Sequence, residues 1–116
     1  MYNFEKLDVY QRGLDIVDDI YRITKTYPRE ELFATVSQLR RAALSIPLNI
    51  AEGSGRTKKE FAHFLNMSRT SAFECVALLD ISLRQKFIAK NDCEKLNEKI
   101  EILIKMISKL RSSISN

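Results

Sequence analysis

The residues best suited to chemistry lie close together in the middle of the chain. Glu60-Phe61-Ala62-His63 has the Glu-x-x-His spacing that sets a carboxylate and an imidazole one helical turn apart, as in di-iron sites inside helical bundles. Such a site needs more carboxylates directed inward from other helices. Asp15, Asp18 and Asp19 fall outside the apolar stripes of the first segment, and Glu98 and Glu101 only flank the seam of the last. Glu60 also has a simpler task. Thr57-Lys58-Lys59-Glu60 fits a capping box, in which hydroxyl and carboxylate satisfy free amides of a helix's first turn. Cys75 and Cys93 lack the C-x-x-C pairing that zinc favours, and His63 is the sole imidazole. Neither a metal, a cofactor nor a Ser/His/Asp or Cys/His nucleophile set is expected, so the sequence does not read as an enzyme.

The second candidate is Gly53-Ser54-Gly55-Arg56-Thr57-Lys58-Lys59, a glycine-containing loop that opens a helix and carries three cations. Free amides and the helix dipole favour an anion there. The loop lacks G-x-x-x-x-G-K-[ST] and follows a helix rather than a strand, which excludes a nucleotide P-loop. Its plainer reading is a C-cap, with Gly53 or Gly55 in the left-handed conformation, joined to an N-cap with solvated lysines.

Charge extends the same theme. The chain carries +4 from 19 basic and 15 acidic side chains. Residues 31–90 hold nine cations against five anions, and the remainder holds ten of each, so the whole excess lies in the middle segments. Arg56, Lys58, Lys59 and Arg69 are the candidate contacts for an RNA or DNA backbone, with no aromatic interleaving to read bases. A solvated face with interface ion pairs is the competing reading.

The elements that position these residues are helices. With 116 residues, 45% of them hydrophobic, three glycines and two prolines, the chain has the length of one domain and too few turn residues for a β-sandwich or barrel. Leu7, Tyr10, Leu14, Val17, Tyr21 and Thr24 form one stripe and Val9, Ile16, Ile20, Ile23 and Tyr27 another, predicting a helix over about 8–26. Leu32, Val36, Leu39, Ala43, Ile46 and Ile50 predict a second over about 30–52, with Pro47 inside it. Proline removes a donor and frees the Ala43 carbonyl, so a kink is expected, with Ser45 and Asn49 as partners for the loosened backbone. Phe61, Leu65, Ser68, Ala72, Val76, Leu79 and Leu83 predict a third over about 58–86. Leu96, Ile100, Leu103, Ile107, Leu110 and Ile114 predict a fourth over about 92–114, capped by Asn91.

Short links favour antiparallel neighbours, so the expected fold is an all-α, up-down-up-down four-helix bundle in a single domain, 1–116. Phe33, Leu44, Phe64, Phe73, Leu78, Ile102 and Met106 lie off the seams, an apolar excess that points to self-association. No apolar run approaches a membrane span, and the charged start and two thiols point to the cytoplasm.

The run SQLRRAALSIPLNIAEGSGR, residues 37–56, closely resembles the signature of the 23S rRNA-intervening sequence proteins. FEKLDVYQRGLDIVDDIY, TYPREELF and KKEFAHFLNMSRTSAFE fit the same family, and the last helix matches in pattern. The resemblance implies a left-handed antiparallel bundle assembling as a homopentameric ring. Some members are encoded inside inserts in bacterial ribosomal RNA genes. A related group accompanies retroelement reverse transcriptases, which makes an interaction scaffold for a protein partner the alternative function. The signature positions carried over are Gln38, Arg40, Arg41, Ser45, Pro47, Asn49, Glu52, Gly53 and Arg56. The chain departs at Phe33-Ala34-Thr35, where relatives often have an aromatic-Gly-Leu step, and at Leu48, where a small residue is common. Arg40 or Arg41 is expected to pair with Glu52 or Glu74 across a helix or subunit boundary, fixing register more than adding stability.

Overall fold

The computed structural model describes residues 2–115. After a 3-10 turn at Asn3–Lys6 come four α-helices: α1 (Asp8–Thr24), α2 (Ser37–Ser54), α3 (Lys58–Arg84) and α4 (Lys90–Ser115). Among the described residues there is no β-strand. Each helix packs on the next in sequence, and α1 packs on α4. The particle measures 43 × 22 × 20 Å.

Of the two stripes on α1, the buried one is Val9, Ile16, Ile20 and Ile23, completed by Gly13; Leu7, Tyr10 and Val17 pack at its margin. Gly13 fills the gap in a four-three spacing that hydrophobicity alone does not reveal. A Cβ there would lie 3.4 Å from Ile46 Cγ2 and from Pro47 Cβ, so α1 runs close to the proline of α2. The α2 seam is buried from Val36 through Ile50, whereas Leu32 is exposed. The reason lies in the backbone. The second helix was expected over 30–52, but Arg29–Glu31 form a 3-10 turn and Leu32–Val36 a π-helical turn, and the regular α-helix begins only at Ser37. Changing the residues per turn rotates Leu32 and Phe33 away from the stripe, leaving Phe33 93% exposed.

Pro47 is buried within α2. Donors come to the two carbonyls just before it. Asn49 Nδ2 donates to the Ser45 carbonyl at 2.8 Å, and the buried Ser68 of α3 donates its hydroxyl to the Ile46 carbonyl at 2.8 Å. Gly53 does not form a left-handed cap, and neither does Gly55; no glycine has positive φ. Gly53 instead provides space, because a Cβ there would lie 2.5 Å from Phe64 Cβ on α3. The left-handed position belongs to Lys86 (φ 65°), which stops α3 at Arg84 rather than 86. Asn91 does not cap α4 but lies inside it, since Cys93 N–H already donates to the Ala89 carbonyl at 3.0 Å.

The α3 seam is Leu65, Ser68, Ala72, Cys75, Leu79 and Ser82, and the α4 seam is Cys93, Leu96, Ile100, Leu103 and Ile107. The Cys75 thiol is pushed up to about 12 by burial, with Glu74 adding to the shift, so it is a packed and unreactive thiol. No described helix is long and apolar enough to cross a membrane.

Candidate nucleic-acid interface

The α2–α3 connection is built as its sequence suggests. Thr57 Oγ1 accepts from Glu60 N–H at 3.2 Å and donates to Glu60 Oε1 at 2.8 Å. These Thr57 bonds, with Arg56 adding to them, hold the Glu60 carboxyl below its usual range. Glu60 is therefore occupied with the helix start. His63 is exposed, and among the described residues no three metal-ligating side chains come together.

Lys58 and Lys59 are exposed and make no ion pair among the described residues. With His63, Phe64 and Arg111 they line an open depression of about 800 Å³ where α3 begins and α4 ends. Arg111 donates from Nε to the Ala62 carbonyl at 3.3 Å, which ties α4 to the first turn of α3. Charge counting by segment missed Arg111, because only packing brings the last helix to this junction.

Arg56 and Arg69 are committed differently. Arg56 lies over the Phe64 ring at 5.0 Å and reaches both Glu52 and Glu60 at 3.5 Å, so two carboxylates offset its charge. Arg69 is half-buried, donating to Asn66 Oδ1 at 2.8 Å and Ser108 Oγ at 3.2 Å. It braces α3 on α4 rather than lining the depression with Lys58 and Lys59.

The remaining signature residues divide between two surfaces. Gln38, Arg41 and Ser45 of α2 face Ser71 and Glu74 of α3 across a groove of about 400 Å³. Ser71 donates to Ser45 Oγ at 2.9 Å, and Asn49 Nδ2 reaches the same oxygen at 2.9 Å. Arg41 and Glu74 have no ion-pair partner among the described residues. Arg40 turns the other way. Its Nε donates to Thr24 Oγ1 at 2.9 Å and its guanidinium lies 4.6 Å from the centre of the Tyr21 ring. Within the chain Arg40 thus packs on neutral groups of α1 instead of pairing with Glu52 or Glu74, and Glu52 pairs locally with Arg56.

This arrangement defines an all-helical protein of four packed helices. The model of the 23S rRNA-intervening sequence protein family matches residues 5–109, and the chain belongs to that family. In fold it is similar to a crystal structure from Bacteroides thetaiotaomicron, described as a protein of unknown function from the S23 ribosomal protein family. The TM-score is 0.82 at 23% identity, covering 89% of this chain and 97% of that one. No match was found among curated proteins.

Proposed function

We propose that the chain is a non-enzymatic, oligomeric bundle protein that holds an RNA or DNA backbone through the cations at its α2–α3 junction. The observation that carries this reading is the pair Lys58 and Lys59, exposed and without an ion pair among the described residues, at a helix start beside Arg111 and His63. Cations so placed attract phosphate without reading sequence. The helices run up-down-up-down. In support, Ser45 bonds Ser71 and Ile46 bonds Ser68, so numbers rise in α2 as they fall in α3. Arg69–Ser108 and Ala62–Arg111 repeat the pattern for α3 and α4.

Assembly is a homopentameric ring, as the family resemblance implies. It is supported by the exposed Leu48, Phe73, Ile81 and Ile102 and by Arg41 and Glu74, which make no ion pair among the described residues. The cytoplasm is the proposed compartment, a setting that suits the buried free thiols Cys75 and Cys93.

The test is binding to duplex and single-stranded nucleic acid across salt concentrations. Affinity should fall steeply with salt, and Lys58→Glu with Lys59→Glu should weaken binding on every sequence. Salt-insensitive or absent binding at low ionic strength overturns the reading. The exposed apolar residues favour one alternative, a scaffold for a protein partner. A stable protein complex surviving nuclease treatment would support that alternative.

A further inference from the structure

Arg40 is held in an unusual way for a half-buried arginine. Thr24 occupies its Nε, and Tyr21 covers one face of the guanidinium. Thr24 is itself fixed, since its hydroxyl donates to the Ile20 carbonyl at 2.6 Å and leaves a lone pair for Arg40. Both anchors are neutral. The two Nη groups have no hydrogen-bond or ion-pair partner among the described residues. A guanidinium fixed at one edge and one face presents its remaining donors in a set direction, as bidentate anion recognition requires.

Arg40 borders a notch of about 330 Å³ at the α1–α2 connection. Lys25 and Arg29 line it beside Arg40, and no carboxylate does. The neighbouring Glu31 accepts from Thr35 at 2.7 Å, and neither Glu31 nor the exposed Glu30 borders the notch. The rest of the wall is largely apolar, including Pro28 and Leu32. Three cations around one small opening suit a dianion, because a single carboxylate would leave two charges uncompensated. An apolar wall beside them suits a ligand whose remaining part is planar or apolar.

We propose that this notch binds a phosphate monoester, with Arg40 as the oriented fork and Lys25 and Arg29 as supporting charges. The site lies at the start of α2 and uses none of the cations at the α2–α3 junction, so it stands or falls apart from nucleic-acid binding.

The experiment is a titration of the full chain followed by amide NMR. Inorganic phosphate and adenosine 5′-monophosphate are the probes, and adenosine and acetate the controls. Both phosphates should shift the Lys25–Arg29 and Arg40 resonances, the nucleotide binding more tightly, while the controls leave them in place. Arg40→Lys keeps the charge but loses the fork and should weaken binding about tenfold. Lys25→Gln with Arg29→Gln, both exposed and outside the core, should weaken it comparably, which covers the case in which Arg40 variants fold poorly. Lys58→Gln with Lys59→Gln should leave it unchanged. Wild-type affinity in Arg40→Lys, an equal response to acetate, or no response at about 20 mM phosphate would overturn the proposal.

Discussion

Two arginines bracket α2, and the structure treats them in opposite ways. Arg56, just beyond its C-terminal end, is held by Glu52 and Glu60 on its own chain segment, so its charge is spent locally. Arg40, in the first turns, is held by a threonine hydroxyl and a tyrosine ring from α1, neutral groups that leave its charge uncompensated among the described residues. Both have an aromatic ring beneath them, but only Arg56 has carboxylates four residues away on either side. Whether a guanidinium serves structure or recognition is decided by the charge of its partners, not by how many it has.

The most disruptive way to break this comparison is Gly53→Ala. Its Cβ would fall 2.5 Å from Phe64 Cβ, which moves only with the α3 backbone, and Phe64 carries Arg56. A loss of about 1–3 kcal/mol in chemical denaturation is expected. Gly13→Ala is the control. Its nearest contacts, at 3.4 Å, are ordinary packing, and helix propensity should make it neutral or stabilising by up to about 1 kcal/mol. Thr24→Val comes next, because it removes the neutral anchor of Arg40 without changing shape. A destabilisation of about 1 kcal/mol is expected in thermal or urea melts.

Glu52→Gln sharpens the contrast from the other side. It should change stability by less than about 1 kcal/mol, the pair being exposed, while raising affinity for a polyanion at low salt as Arg56 is released. The smallest effect is on pH dependence. Glu60 is held below its ordinary value of 4.5 by Thr57 and Arg56. A carboxylate whose pKa is lower folded than unfolded stabilises above the unfolded value, and that contribution disappears as pH falls through the folded one. Glu60→Gln should therefore flatten the acid limb of melting temperature against pH, lying slightly below wild type near neutrality and converging with it at low pH.

Four helices and the Thr57–Glu60 cap were legible because both are local: a repeating apolar spacing and a four-residue motif. The Arg56 pairs were open to the same logic, with carboxylates four residues away on either side. What sequence could not supply were partners fixed by packing. Thr24 meets Arg40 across 16 residues, and Arg111 meets Ala62 across 49. Gly53 was misread for a related reason. A glycine near a helix end suggests a left-handed turn, yet here the demand is the approach of Phe64, which spacing does not encode. The π-helical turn at Leu32–Val36 was likewise hidden, since its apolar residues satisfy an α-helical pattern even though the backbone does not follow it.

The hydroxyl of Ser68 on the Ile46 carbonyl has a kinetic consequence as well as a static one. The buried bond spans the three-residue link between α2 and α3, the shortest of the connections between the four α-helices, so bringing this pair of helices together carries the smallest loop-closure cost. Helices α2 and α3 should then associate early, with α1 and α4 docking onto the pair afterwards. In stopped-flow folding, Ser68→Ala is expected to slow the refolding arm more than it speeds unfolding, whereas Thr24→Val should do the reverse.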